Sequence, residues 1–177
     1  MKETDRPAVV QGGAPVALGL GANLEEPVRA IAAAVEALRR GGVGDLRVAP
    51  FYRTTAVDCE PGTADFVNTV VVGRWRGSPL ALLALCQAVE TALGRPACHS
   101  SRLARAIDVD ILLIGEHCLE SAALTVPHPR LSRRLFVLVP LAEIAPEWRI
   151  PPTLESVASC RDRLLAAAGG QAWGKRL

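Results

Sequence analysis

Apolar segments of two periodicities alternate along this chain of 177 residues, and their order limits what it can fold into. Segments that alternate, or that are rich in β-branched residues, predict strands, whereas apolar spacings of three and four predict helices. The strand-like segments are Val16–Leu20, Leu46–Thr54, Asp65–Arg76 and Ala106–Ile114, and the helix-like segments are Val28–Arg40 and Leu80–Leu93. The predicted order is therefore β-α-β-β-α-β.

This order is typical of the ferredoxin-like α+β arrangement, in which two helices pack on one face of an antiparallel sheet. The opposite face is then left for loops and a ligand. Helices predicted around 137–144 and 154–168 are C-terminal additions to this core. The length suits one domain, which we place at residues 15–170, with a flexible N-terminal tail over 1–14 and a C-terminal tail over 171–177.

Turn-forming residues mark the ends of both predicted core helices. Asn23 is a candidate N-cap ahead of the first helix, and Ser78 directly precedes the second. Side-chain oxygens of these residue types accept hydrogen bonds from the open N–H groups of a first helical turn. Gly94 is the expected end of the second helix, because glycine readily adopts the left-handed conformation found there.

Charge and cysteine content argue against several classes of function. The formal net charge is +2, which is small for a nucleic-acid-binding protein, and the apolar segments are shorter than the ~18 residues of a membrane span. The five cysteines are odd in number and form no Cys-x-x-Cys pair, and Cys98-His99 lacks partner ligands at zinc spacing. These features predict a cytoplasmic protein with reduced thiols and no nucleic-acid or membrane partner. We also expect a monomer.

Two aspartates interrupt the last predicted strand, which reads RAIDVDILL from Arg105. Alternate residues of a strand share a face, which gives one side with Asp108, Asp110 and Leu112 and an apolar side with Ile107, Val109, Ile111 and Leu113. The two carboxylates then project together, about 6 to 7 Å apart along the strand. That spacing suits a pair of Mg²⁺ ions that substrate phosphates also hold. An ordinary solvated sheet face is the alternative.

Arginines surround this carboxylate pair in the sequence. Three precede it and three follow the turn at His128, namely Arg95, Arg102, Arg105, Arg130, Arg133 and Arg134. Guanidinium groups bind phosphate oxygens in bidentate fashion, and together with a metal they suit a nucleoside triphosphate better than a neutral ligand. The alternative is that some of these arginines only solvate loops.

Several sequence blocks, in order and at compatible spacing, resemble the 6-hydroxymethyl-7,8-dihydropterin pyrophosphokinases of folate biosynthesis. The blocks run from about Val16 to Ile150 and read ALGLGANLEEP, FYRTTAV, ADFVNTVV, LLALCQAVETALGR, RAIDVDILLIG and LTVPHPRLSRRLFVLVPLAEIAPEW. The resemblance implies the α+β fold reached above. It also implies an ATP-dependent diphosphotransferase that transfers pyrophosphate from ATP to the hydroxymethyl group of the dihydropterin, giving AMP, with two Mg²⁺ ions.

The resemblance implies roles for individual residues, in three groups. The catalytic group is Arg95, Arg105, Asp108 and Asp110, of which the two aspartates bind the metal. The ATP-binding group is Arg102, His128 and Arg134. The substrate-binding group is Thr54, Val57, Phe66, Asn68 and Phe136, with the pterin between the two aromatic rings.

The chemistry of a flat, polar heterocycle agrees with the substrate-binding group. Such a ring needs aromatic faces and a fixed amide at its edge. Phe66 and Asn68 fall on one face of their predicted strand, with Val67 and Thr69 on the other. For Phe66 alone, a core aromatic residue is the alternative. The residues indicate no particular general base, and metal bound by the aspartates is one way to lower the pKa of the acceptor hydroxyl.

The segment before the aspartate strand departs from the family pattern. The family usually has Arg-Trp-Gly-Pro-Arg there, whereas this chain has Ser101-Arg102-Leu103-Ala104-Arg105. The tryptophan that closes over the pterin is absent, and of the two arginines only the last is kept. Two interpretations stay open: an enzyme with a rearranged lid, and a degenerate homologue that binds pterin or nucleotide without efficient transfer. A nucleic-acid-binding module is a third, although the strands lack the exposed aromatic and basic motif of RNA-binding sheets.

Overall fold

The computed structural model describes residues 12–55, 63–94, 106–170 and 173–177. The strands in these ranges are β1 Ala14–Ala22, β2 Gly44–Val48, β3 Tyr52–Thr54, β4 Phe66–Trp75, β5 Asp108–Ile114, β6 Leu119–Glu120, β7 Thr125–Val126, β8 Arg149–Ile150, β9 Glu155–Ser156 and β10 Lys175–Arg176. The helices are α1 Pro27–Arg40, α2 Pro79–Ala92, α3 Leu135–Ile144 and α4 Val157–Ala167, with a 3₁₀ turn over Leu131–Arg133.

The main sheet is antiparallel and has β1 and β4 at its centre. Its order is β10-β3-β4-β1-β5, with β2 also paired to β4. The predicted strand over 46–54 is divided into β2 and β3. Pro50 lies at the break and has no N–H to donate to a neighbouring strand. The carbonyl of the preceding residue, Ala49, accepts a hydrogen bond from the Thr69 hydroxyl at 2.9 Å. Counted as one interrupted strand, β2 and β3 complete the predicted ferredoxin-like α+β order.

The first face of the sheet packs against α1 and α2. Its buried cluster includes Leu18 and Leu20 of β1, Val71 of β4, Ile31 of α1 and Leu82 of α2. Each of these side chains is 2% exposed or less, so this face is fully closed to solvent around them. The three-and-four spacing of Ile31, Val35 and Leu38 therefore corresponds to burial against the sheet, whereas Val28 at the start of the predicted pattern is exposed.

The second face is partly covered by α3 and α4, so the prediction that only loops and a ligand lie there was wrong. Leu138 of α3 and Val157 of α4 pack with Val70, Val72 and Leu112 of the sheet. Helix α3 is apolar almost all round, LFVLVPLAEI, so its sequence carries no amphipathic pattern to show which face it would bury. These two helices thus build a second core on part of this face.

Strand β5 contains a bulge that changes which side chains face which core. Ala17 of β1 lies opposite Leu113 and Leu18 lies opposite Ile111, so Leu112 is the extra residue. Asp108, Asp110 and Leu112 share a face as predicted, but Leu113 joins Leu112 in the second core. The prediction that Leu113 lies on the same face of the strand as Ile111 was wrong, because a bulge interrupts strict alternation.

Two predicted helix ends are confirmed and one is wrong. Ser78 accepts a hydrogen bond from Ala81 N at 3.2 Å, and Gly94 follows α2 with a φ of 96°. Helix α1 instead begins at Pro27, after Glu26. Asn23 is buried at the end of β1 and donates through Nδ2 to Ala64 O at 3.2 Å, which joins β1 to the segment before β4.

The described ranges include only part of the two predicted tails. Residues 1–11 lie outside the described ranges, and Ala14 is already the first residue of β1. Strand β10 lies within the segment predicted as a C-terminal tail and pairs with β3. The domain boundaries stay a prediction. Within the described ranges, no helix combines the length and apolar character needed to cross a membrane.

Candidate active site

Two glycines of the central strand, Gly19 and Gly21, form a floor without side chains on the second face of the sheet, which we call the glycine floor. Gly21 lies between Asn68 of β4 and Asp108 of β5 in one row, and Gly19 lies beside Asp110 in the next. Neighbouring strands are 4.7–4.9 Å apart, so the Cα atoms of Asn68 and Asp108 are about 10 Å apart. A Cβ atom at Gly21 would lie 2.7 Å from Asn68 Oδ1, so any other residue there would displace the amide.

Three predicted substrate residues lie together at one end of the β3–β4 pair. Asn68 is buried, and its Nδ2 donates to Thr54 Oγ1 at 2.8 Å. Thr54 lies opposite Phe66 in the register of the two strands. Phe66 Cδ1 would be 3.9 Å from a Cβ at Gly21, so the ring borders the same glycine floor as the amide.

The predicted metal residues lie beside His128. Asp110 Oδ2 is 4.0 Å from His128 Nε2, and the Asp110 side chain is 43% exposed. The His128 backbone N–H donates to Leu112 O at 3.0 Å. Leu112 is the bulge residue, so the bulge in β5 supplies the carbonyl that fixes His128 next to the aspartates.

The protonation state of His128 follows from its surroundings. Burial lowers the pKa of the imidazole, the Arg134 and Arg130 charges lower it further, and Asp108 opposes them. Nδ1 accepts a hydrogen bond from Arg130 N at 3.0 Å. The neutral ring therefore carries its hydrogen on Nε2, on the side of Asp110. It can donate there to a phosphate or carboxylate oxygen.

Arg134 and Phe136 connect the two parts of the site. The Arg134 guanidinium lies 5.3 Å from the centroid of the Phe136 ring, which is within cation–π range. A cavity of about 340 Å³ is lined by residues that include Thr54, Arg134, Phe136, Leu164 and Trp173. Phe136 and Thr54 thus border the same cavity, beside the Asn68 amide that Thr54 holds.

Four predicted site residues lie outside the described ranges, and so does the segment that departs from the family pattern. They are Arg95, Arg102, Arg105 and Val57, and the segment is Ser101–Ala104. The described residues contain no group of three or more histidine, cysteine, aspartate or glutamate side chains able to hold a metal ion. Asp108 and Asp110 are hard oxygen donors that fit Mg²⁺ if phosphates and water complete its coordination.

One buried carboxylate that supports the aspartate strand was not predicted from the sequence. Glu90 of α2 is 9% exposed and accepts a hydrogen bond from Val109 N at 2.7 Å. Val109 lies between the two aspartates, so Glu90 fixes the backbone that carries them. Its spacing from Leu82 and Cys86, which are buried on α2, was a usable signal for an inward-facing charge.

Fold and site together define a ferredoxin-like α+β domain with a candidate small-molecule site on the second face of its sheet. That site combines a carboxylate pair, a neutral histidine and a buried amide. Residues 17–146 match the family model described as 7,8-dihydro-6-hydroxymethylpterin-pyrophosphokinase (HPPK). The chain belongs to this family.

Two relatives agree with this membership, and a solved structure agrees with the fold. A 2-amino-4-hydroxy-6-hydroxymethyldihydropteridine pyrophosphokinase of Pseudomonas aeruginosa is 40% identical over 141 residues, covering 77% of this chain and 83% of the relative. One of Synechocystis is 36% identical over 149 residues, covering 84% and 73%. A Plasmodium falciparum HPPK-DHPS crystal structure has a TM-score of 0.67 at 15% identity over 92% of this chain, which supports the fold alone. The chain spans 47% of that solved chain.

Proposed function

We propose that this protein transfers the pyrophosphoryl group of ATP to 6-hydroxymethyl-7,8-dihydropterin, giving the pterin diphosphate and AMP, in folate biosynthesis. Family membership supports the reaction. The observation that carries it to this chain is the row Asn68–Gly21–Asp108. In this row Gly21, which has no side chain, lies between an amide that can bind a heterocycle and a carboxylate that can bind a metal ion. The Cα atoms of these two residues are about 10 Å apart.

In this proposal the pterin lies over the glycine floor. Phe66 and Phe136 contact its two faces, and the Asn68 amide binds its edge, with the backbone of 54–57 lining the pocket. Stacking and one fixed amide would select a flat, polar ring. The hydroxymethyl group then points along the row toward Asp108, where the phosphates arrive.

The triphosphate would lie along β5 and the His128 turn. The neutral His128 donates from Nε2 to a phosphate oxygen, and Arg134, with Arg95, Arg102 and Arg105, balances the phosphate charge. Asp108 and Asp110 would hold two Mg²⁺ ions. The bound metal supplies charge neutralisation and a lower pKa for the acceptor hydroxyl.

The reaction itself exchanges one phosphorus–oxygen bond for another. The hydroxymethyl oxygen bonds to the β-phosphorus of ATP, the bond from that phosphorus to the α–β bridging oxygen breaks, and AMP leaves with the electron pair. The hydroxyl proton is released, and we assign it to no particular side chain. Such a transfer depends mainly on positioning and on charge stabilisation, which are what these residues provide.

One alternative has an observation in its favour. The segment Ser101–Ala104 lacks the family's tryptophan and first arginine, which suits a degenerate homologue that binds pterin or nucleotide without efficient transfer.

We also propose a monomeric, cytoplasmic protein without nucleic-acid partners.

One assay separates the two candidates. The protein is incubated with ATP, Mg²⁺ and the dihydropterin, and AMP is quantified by chromatography. We expect AMP and pterin diphosphate in equal amounts, and no AMP when the dihydropterin or Mg²⁺ is omitted. If the dihydropterin binds but no AMP forms, the degenerate homologue is the correct reading.

A further inference from the structure

The last five described residues, Trp173–Leu177, form a C-terminal segment that lies on β3. Arg176 pairs with Tyr52 in the strand register, and Leu177 N donates to Phe51 O at 2.9 Å. The Trp173 ring centroid is 5.1 Å from that of Tyr52. This segment therefore adds a strand to the edge of the sheet beside the candidate pterin site.

Side chains tie the same segment to α3. The Tyr52 hydroxyl donates to the Glu143 carboxylate, and Arg176 Nη1 is 3.3 Å from Glu143 Oε2. Glu143 belongs to α3, the helix that also carries Phe136. The C-terminal segment is thus fixed to both β3 and α3, which carry Thr54 and Phe136.

Gly174 lies directly against Thr54. A Cβ atom at Gly174 would be 2.9 Å from Thr54 Cγ2 and 3.0 Å from Arg53 O. The methyl and hydroxyl groups of threonine share one Cβ atom, so a contact that fixes the methyl also fixes the hydroxyl. With its methyl toward Gly174, Thr54 turns Oγ1 to the Asn68 amide.

The Thr54 hydroxyl in turn sets the direction of the Asn68 amide. Nδ2 donates to Thr54 Oγ1, and Oδ1 lies over Gly21 on the ligand face of the sheet. The amide therefore presents an acceptor to the glycine floor. A ring edge that bears N–H donors would bind this acceptor, and an edge with only acceptors would be repelled by it.

We propose that Thr54 is a positioning residue for the heterocyclic substrate, and that the C-terminal segment, through Gly174, holds it in place. Together they present Asn68 Oδ1 as an acceptor and so select a ring edge with N–H donors. The proposal rests on the proposed function, because it takes the pterin as the ligand of Asn68.

Three variants test the contact between Gly174 and Thr54. Gly174→Ala pushes on Thr54 Cγ2, and we expect its KM for the dihydropterin to rise about tenfold, the scale of one lost hydrogen bond. Its KM for ATP should not change. Thr54→Ser keeps the hydroxyl but loses the methyl that contacts Gly174, so its KM for the dihydropterin should rise by about threefold at most, less than in Gly174→Ala. The double variant Gly174→Ala/Thr54→Ser lacks the clash with Cγ2. Its KM for the dihydropterin should therefore return at least halfway, on a logarithmic scale, from the Gly174→Ala value to the wild-type value.

Two further variants separate positioning from simple support. Thr54→Val keeps the shape and removes the hydroxyl, so its KM for the dihydropterin should rise as in Gly174→Ala. Lys175→Ala is the matched control, because its exposed side chain is on the same strand and should leave both KM values unchanged. The proposal is overturned if Thr54→Val has the wild-type KM for the dihydropterin. It is also overturned if the double variant has the same KM for the dihydropterin as Gly174→Ala alone. A third contradicting result is a rise of both KM values in Gly174→Ala together with a fall in Tm.

A binding titration keeps this test separate from the proposed function. Dihydropterin affinity is measured for the same variants without ATP. An active wild type with unaltered variants overturns the inference alone. An inactive wild type whose variants follow the expected affinity pattern overturns the proposed transfer alone, and failure of the wild type to bind dihydropterin overturns both.

Discussion

Asp108 and Asp110 show how far single residues could be interpreted from the sequence. Strand alternation correctly predicted that they share a face. Their partners come from distant parts of the chain: His128 lies beside Asp110, and the bulge carbonyl of Leu112 accepts a hydrogen bond from its backbone N–H. Such contacts depend on tertiary structure that no local spacing reveals. The resemblance to the family named His128, and the structure supplied the reason for its position.

Replacing Asp110 tests the carboxylate pair. Asp110→Asn keeps the size of the side chain and removes its charge, so we expect kcat to fall at least about 100-fold, as when a metal ligand is lost. The side chain is 43% exposed, so the free energy of unfolding should change by less than about 1 kcal/mol. Asp162→Asn, at an exposed position on α4, is the control for charge loss. Full turnover in Asp110→Asn would refute the metal assignment.

Tyr52 is the only tyrosine of the chain, so its ionisation can be followed by tyrosinate absorbance. Burial and the Glu143 carboxylate raise the pKa of Tyr52 to about 12. The folded state thus favours the neutral phenol. Its contribution to stability is complete below the ordinary pKa of 10.0 and is lost as pH rises through about 12.

A rapid alkaline jump, read before unfolding, should therefore show a midpoint well above 10. Glu143→Gln should lower the midpoint, because it removes the negative charge beside the phenol while keeping a hydrogen-bond acceptor. An unchanged midpoint in Glu143→Gln would show that burial alone accounts for the shift.

At the scale of elements, the apolar periods predicted the core strands and helices, but not how they are interrupted. Pro50 explains the division between β2 and β3, and it was visible in the sequence. The bulge at Leu112 was not, because an extra residue in an apolar run looks like any other aliphatic residue. Nor did the pattern show that α3 covers part of the second face of the sheet, since a helix that is apolar all round does not indicate which side it buries.

The glycine floor of β1 gives a matched pair of variants. A Cβ at Gly21 would lie 2.7 Å from Asn68 Oδ1, whereas one at Gly19 would meet Leu112 at an ordinary 3.5 Å. We expect Gly21→Ala to raise KM for the dihydropterin about tenfold, through displacement of the amide, with KM for ATP unchanged. Gly19→Ala leaves the Asn68 amide in place, so it should raise the KM for the dihydropterin by much less than Gly21→Ala does. Equal effects of the two variants on dihydropterin binding would contradict the proposed floor.

For the whole molecule, the sheet is shared by two cores. Ile31 lies in the core under α1 and α2, and Leu138 lies in the core under α3 and α4. Both cores pack on the same strands, β1, β4 and β5, so neither can lose its sheet face without affecting the other. The sequence predicted the first core and the strand order, and it predicted only the existence of the helices of the second.

Cavity-forming substitutions in the two cores test this coupling. Ile31→Ala and Leu138→Ala are both at positions with 0% exposure, and each should lower the free energy of unfolding by about 2–5 kcal/mol. We expect one transition in each variant, with circular dichroism and tryptophan fluorescence coinciding in a denaturant titration. A separate early transition in Leu138→Ala would mean that α3 and α4 unfold on their own.

The bulge in β5 lets two neighbouring side chains, Leu112 and Leu113, face the second core together. A deletion of Leu112 would leave Asp110, Ile111 and Leu113 on the faces they already have, because these residues would then simply alternate. The deletion would remove one aliphatic side chain from the second core and the carbonyl that binds the His128 backbone. The extra residue therefore serves the second core and the histidine, whereas the direction of the two aspartates does not depend on it.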